Sequence, residues 1–229
     1  MKNQELLSGI KDAIPIVLGY LPLGFAFGVL ATEAGMSITQ ATVMSILCFT
    51  GAGQYIAIGV MQAGGAVLTA VLANVLVNLR YFLFSASLVP HLKSVPTKIA
   101  AFLSYGLTDE TYAVAINRYQ NRAASASYMA GLNLTSHLGW VGSTILGAVL
   151  GSLITNTDKI GLNFALPAMY ICLLVLLVSK RTEAIVAIIA GILCVVIGYV
   201  YPSSLHNLSN IIIATLIAAT IGVMLNDKQ

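Results

Sequence analysis

Charge is what this sequence has least of. Of 229 residues only 11 are Lys or Arg and 8 are Asp or Glu, so 8% are charged, against about 25% in soluble domains. A soluble chain of this length must hydrate its surface, and so few charges cannot do it. Lipid is therefore the outer solvent for most of the chain. The net charge of +3 is small and dispersed, and no basic run exceeds two residues, which excludes nucleic acid as a partner and a polybasic tail. The three cysteines, Cys48, Cys172 and Cys194, lie in apolar runs and form no CxxC pair. They read as buried small hydrophobes rather than metal or redox ligands. GxxxxGK[ST], HExxH and GxSxG are all absent, so neither nucleotide hydrolysis nor hydrolytic enzyme chemistry is expected, and no cofactor is implied. A repeated filter motif and an arginine series of the voltage-sensor kind are missing too, which argues against a channel.

Apolar residues make up the rest, 58% of the chain. They fall into eight segments: Ala13–Ala31, Ile38–Gln62, Ala66–Val89, Ile99–Asn117, Ala123–Ile154, Ile160–Ser179, Ala184–Tyr201 and Leu208–Asn226. Each meets or approaches the ~20 residues that cross the hydrocarbon core as a helix. Barrel strands would alternate over ~10 residues, which these continuous runs do not. The first segment follows the basic stretch MKNQELLSGIKDA and is longer than the ~7–15 residue core of a signal peptide, so it reads as a transmembrane helix. The fifth is longer than one span needs, which places its first turns at the interface. Pro15 and Pro22 are expected to kink the first helix and Pro167 the sixth.

Eight crossings with the N-terminus in the cytoplasm put Lys2, Lys11, Arg118, Arg122, Lys180, Arg181 and Lys228 inside. Lys93, Lys98 and Lys159 fall outside, which satisfies the positive-inside rule. A re-entrant third segment would even out that asymmetry. Gly19, Gly24 and Gly28 recur as Gly142, Gly147 and Gly151 at a constant offset of 123. That suggests an internal repeat of parallel sense, as transporter folds often have, although shared small-residue packing gives the same pattern.

Only Arg80, Asp109 and Glu110 carry charge within the spans. A charge near mid-bilayer costs at least about 2.5 kcal/mol and needs a partner. Arg80 lies roughly 4–5 Å from the centre of its helix and Asp109 within about 2 Å of its own, at ~1.5 Å rise per residue. Pairing of Arg80 with Asp109 or Glu110 is thus within side-chain reach. Such a pair either joins two helices or serves transport, one carboxylate binding a substrate ammonium or carrying a coupling proton. Asn74, Asn78, Tyr81 and Ser85 share a stripe about 60° wide on the third helix, while Arg80 points nearly the opposite way. A continuous helix cannot aim both at one cavity. The stripe serves either interhelical hydrogen bonds or the pathway.

The second segment holds TGAGQY, Thr50, Gly51, Ala52, Gly53, Gln54 and Tyr55, at its centre. Two glycines weaken a helix, and unwound backbone at that depth survives only inside protein or beside a wet cavity. The motif marks either a discontinuous helix at the solute site or close helix packing. Asn133 and His137 share a face of the fifth helix at i, i+4. The histidine is a satisfied hydrogen-bonding residue or a relay.

PIVLGYLPLGFAFGVLATEAG, FTGAGQY, NLRYFLFSASLVPHL, LTDETYA and FALPAMY, spread in order between Pro15 and Tyr170, resemble the AzlC family, the large subunit of two-component branched-chain amino acid exporters. The family often has His where this chain has Tyr81 and Asp where it has Asn163, so family roles at those two positions do not carry over. The resemblance implies export of leucine, isoleucine, valine or methionine together with a small AzlD-like membrane subunit.

The expectation is an all-α polytopic transmembrane bundle of about eight helices, some kinked or interrupted. Residues 1–229 form one transport domain in the cell membrane, and the lipid bilayer is its solvent. The substrate or pathway residues are Thr50, Gly51, Gly53, Gln54, Tyr55, Asn74, Asn78, Arg80, Asp109 and Glu110. The competing reading is a non-transporting membrane scaffold in which the same polar residues only join helices.

Overall fold

The computed structural model describes residues 2–151, 164, 167–168, 171, 174–175, 178, 180–204 and 209–226. Most of the sixth expected segment lies outside the described residues, and with it Asn163, Lys159 and Cys172. All the regular elements among the described residues are helical. They are α1 (Lys2–Glu33), α2 (Ile38–Leu47), α3 (Ala52–Gln62), α4 (Val67–Leu88), α5 (Thr97–Ser104), α6 (Asp109–Asn121), α7 (Ala126–Leu150), α8 (Arg181–Val200) and α9 (Ser209–Asn226). Three of them, α1, α4 and α8, are long and apolar enough to cross a membrane unaided. The chain is a multi-pass membrane protein built as an all-α bundle.

Two compact units emerge, one from residues 1–58 and 77–165, the other from 59–76 and 166–229. In the first, α1 and α7 pack along their length. Gly9 meets the Tyr128 carbonyl and Leu132, Gly28 meets Thr144 and Ala148, and Gly147 meets Phe25. Low numbers face low numbers, so the two helices run parallel. Parallel sense requires an odd number of crossings between them. The eight-crossing expectation has three there, whereas a re-entrant third segment would leave two.

The offset-123 glycines behave as equivalent positions in this packing. Gly24 and Gly28, like Gly147 and Gly151, press on the other helix, while Gly19 and Gly142 face open space. Gly28 and Gly147 each abut backbone of the facing helix so closely that no methyl group fits. Small residues there let the backbones approach, as membrane interfaces require where lipid is as apolar as leucine. Pro15 and Pro22 both lie inside an unbroken α1.

Two expected spans are interrupted. The second segment is α2 followed by α3, of 10 and 11 residues, each about half a span. The fourth was expected as one helix with Asp109 near its middle, but the structure divides it into α5 and α6. Asp109 is the first residue of α6. The reason is local. Thr108 is the N-cap, its side chain accepting from the Thr111 amide while the Thr111 hydroxyl accepts from the Thr108 amide. Asp109 and Glu110 fill the first turn, where carboxylates complement the helix dipole.

The second unit is simpler. In it α8 and α9 pack antiparallel, Gly222 facing Val186 at one end and the Asn210 amide reaching the Cys194 carbonyl at the other. The two described cysteines depart from expectation: Cys194 is half-buried and Cys48, at the C-terminal cap of α2, is exposed.

Candidate functional site

The site is organised by the two interruptions in the first unit. At the end of α2 the last helical bond runs from the Cys48 amide to the Met44 carbonyl at 2.8 Å. The next two carbonyls, of Ser45 and Ile46, are left without their helical partners, and an orphaned carbonyl in lipid is costly. The His137 Nε2 lies 3.2 Å from the Ser45 carbonyl, and a carbonyl only accepts, so Nε2 carries the proton. The Tyr105 hydroxyl donates to the Ile46 carbonyl. Tyr105 itself sits where α5 stops, so one interruption caps the other.

Gln54 closes the gap between α2 and α3. It is fully buried, its amide donates to the Ser45 hydroxyl at 2.9 Å, and its carbonyl accepts from the Trp140 indole at 2.8 Å. The Ser45 hydroxyl lies a further 2.9 Å from that of Thr144. Gly51 turns the chain with φ +27, in the region that favours glycine, and its α-carbon faces the Trp140 ring closely. Thr50 donates to the Asn78 side-chain oxygen Oδ1 at 2.6 Å, Tyr55 donates to the Leu23 carbonyl at 2.6 Å, and Gly53 is buried in the first turn of α3. Rings of Tyr20, Phe27, Phe49, Tyr55 and Trp140 form a connected cluster, with centroids 5.3 Å apart for Tyr20–Trp140 and 5.8 Å for Phe27–Tyr55. His137 stacks on Phe49 at 4.4 Å.

At the second interruption Arg80 Nη2 and Asp109 Oδ2 are 3.1 Å apart, with side chains 22% and 11% exposed. The contact uses one atom of each group. Arg80 Nε and Asp109 Oδ1 are buried without a partner, one a donor and the other an acceptor. Glu110 is held differently, its Oε2 accepting from the Tyr20 hydroxyl at 2.8 Å. The same hydroxyl is 2.7 Å from Thr108 Oγ1. The Asn133 amide donates to the Leu103 carbonyl at the end of α5, 2.7 Å away.

Of the residues expected at the site, the structure gathers Thr50, Gly51, Gly53, Gln54, Tyr55 and Asn78 around the first interruption, and Arg80, Asp109 and Glu110 around the second. Asn74 belongs to the second unit, where its amide donates to the Ala70 carbonyl. Because α4 is unbroken between Asn78 and Arg80, the two residues serve different interruptions.

Sequence reasoning passed over Tyr20, Ser45, Tyr105, Thr108, Trp140 and Thr144. One signal was available: Asn133, His137, Trp140 and Thr144 are spaced as one polar face of α7, and all four bond to an interrupted segment. Arg118 was counted only as a loop charge. It binds Glu5 at 2.8 Å and Ser8 at 3.1 Å, lies 3.7 Å from Asp12, and sits 3.9 Å over the Tyr128 ring. Beside it, burial pushes the Tyr119 hydroxyl up to about 12, so it stays a neutral donor to the Ser125 carbonyl.

Comparison with known proteins gives a consistent picture. The profile described as AzlC protein matches residues 15–154, the stretch that holds both interruptions. An uncharacterized membrane protein of Archaeoglobus fulgidus is 36% identical over 76% of this chain and 76% of its own length. The inner membrane protein YgaZ of Escherichia coli is 31% identical over 83% of this chain and 82% of its own. The branched-chain amino acid transport protein AzlC of Bacillus subtilis is 28% identical over 76% of this chain and 70% of its own. No solved structure matches.

Proposed function

The chain belongs to the AzlC family of membrane transport proteins, and on that premise we propose that it exports small hydrophobic amino acids. Leucine, isoleucine, valine and methionine are the candidate substrates. It acts as the large, non-enzymatic subunit of a two-component exporter, with the whole chain as one transport domain and a small AzlD-like membrane protein as its partner. The observation that carries this reading is the meeting of two interrupted helices beside a half-buried ion pair with spare valence. Interrupted helices in transporters present backbone groups to the solute near mid-membrane. A zwitterion needs a donor for its carboxylate and an acceptor for its ammonium at one depth. Arg80 Nε and Asp109 Oδ1 supply such a couple, both belonging to one ion pair and both unpartnered. The Tyr20, Phe27, Phe49, Tyr55 and Trp140 rings are suited to an aliphatic side chain. The transport protein from Bacillus subtilis, whose name specifies branched-chain amino acids, supports the same substrate class.

The test is efflux from cells loaded with leucine- or methionine-containing dipeptides, with and without the small partner. Expression of both proteins should lower internal amino acid and raise external amino acid. Equal efflux in cells lacking this chain would refute export. A scaffold instead predicts that substitutions at Arg80 or Gln54 lower abundance and activity in step.

A further inference from the structure

Glu110 is placed unlike Glu5, Asp12 and Asp109 of the first unit. Asp109 takes Arg80, and Glu5 and Asp12 take Arg118. Among the described residues Glu110 has no cation within ion-pair distance, and its bond is to a neutral phenol. Arg80 and Tyr81 of α4, Asp109 of its own helix and Tyr20 of α1 are the charged or titratable groups around this spot. From α7 the neutral Trp140 ring faces Tyr20.

Tyr20 begins a chain of hydroxyls. Its oxygen is 2.7 Å from Thr108 Oγ1, Thr108 Oγ1 is 3.3 Å from Thr111 Oγ1, and Thr111 Oγ1 is 3.0 Å from the Gly106 carbonyl inside the α5–α6 interruption. Each hydroxyl owns one proton and can also accept. With Glu110 ionised, Tyr20 gives its proton to the carboxylate and Thr108 gives its own to Tyr20. With Glu110 protonated the carboxyl becomes the donor. Tyr20 must then turn to Thr108, and Thr108 from Tyr20 to Thr111, which keeps its bond to the Gly106 carbonyl. Only hydroxyl rotations are required, and every group keeps a partner in both states.

We infer that Glu110 carries a coupling proton, and that the Tyr20–Thr108–Thr111 chain transmits its protonation to the α5–α6 interruption. The inference rests on the amino-acid transport reading. A zwitterion has no net charge, so the membrane potential alone does no work on it, and a proton moving the other way supplies the drive.

The experiment uses inside-out membrane vesicles containing the full chain and its partner, with radiolabelled leucine as probe. Two rates are compared, uptake driven by an acid lumen and leucine–leucine exchange at equal pH. In Glu110→Gln the ratio of driven uptake to exchange should fall roughly tenfold or more, and exchange should lose its pH dependence. Glu110→Asp, which keeps a titratable carboxyl, should restore the ratio towards wild type. Tyr20→Phe should lower the ratio while Glu110 is intact, and it decides the matter if Glu110→Gln fails to assemble. A wild-type ratio and pH profile in Glu110→Gln, or a wild-type ratio in Tyr20→Phe, overturns the inference. Absence of leucine, isoleucine, valine and methionine exchange in the wild type refutes the transport reading instead.

Discussion

Replacing Gln54 by methionine tests the central claim that the first interruption is pinned rather than loose. The two side chains have similar length, so packing changes little, and the loss is one of hydrogen bonds. Gln54 makes two, to the Ser45 hydroxyl and from the Trp140 indole. Ser45 retains Thr144, whereas the Trp140 indole loses its carbonyl acceptor in a buried position. Two net bonds at about 1 kcal/mol each, with a desolvation cost of about 1–3 kcal/mol for the stranded indole, overlap to give roughly 2–4 kcal/mol. At 1.4 kcal/mol per factor of ten, opening of the segment should become about 30- to 700-fold more frequent. Hydrogen exchange of the amides between Thr50 and Tyr55, followed by mass spectrometry in nanodiscs, reads that opening directly. Trp140→Phe removes the stranded donor, so the double variant should lose about 1–2 kcal/mol less than the sum of the single losses. Unchanged exchange in Gln54→Met, or strict additivity in the double variant, refutes the pinned interruption.

Three further outcomes follow from the packing. Arg80→Ala should lower the amount of assembled protein by leaving Asp109 buried and unpaired, a loss of about 3–5 kcal/mol. The exchange Arg80→Asp with Asp109→Arg should recover assembly more than efflux, and normal assembly and efflux in Arg80→Ala would deny the pair any importance. Gly28→Ala should disrupt assembly measured by size-exclusion chromatography, because the added methyl meets α7 backbone, while Gly19→Ala should behave as wild type because that position faces open space. Reporter fusions at Ser203 should read outside and those at Arg181 inside, and the reverse pattern would sink the eight-crossing arrangement.

The first interruption was legible in part: the glycines of Thr50 to Tyr55 announce it, but the break runs from Cys48 to Gly51, and Ala52 to Tyr55 already form the first turn of α3. The second was legible in principle and was passed over. Its signature, LTDET, is a helix start, but hydropathy summed over a span averages across a cap of one turn. The Arg80–Asp109 pair followed from scarcity: with three charges in the spans, few pairings exist. Choosing between Asp109 and Glu110 did not follow. That choice depends on which carboxylate the turn after Thr108 aims at α4 and which at α1.

By itself the sequence determined the solvent, the helical class, the multi-pass arrangement and the family. These depend on composition and on local runs, and lipid leaves the backbone few alternatives to helix. Only the tertiary structure decided that Tyr105 and His137 cap the end of α2, and that Gln54 is held by Trp140. It also decided that Tyr20 joins Glu110 to Thr108, across 90 residues of chain. The physical reason is that an unwound helix leaves backbone groups whose partners must come from other helices. Side chains 59 and 92 residues away make those bonds at the end of α2, and nothing in a local pattern specifies which face of a neighbouring helix arrives there.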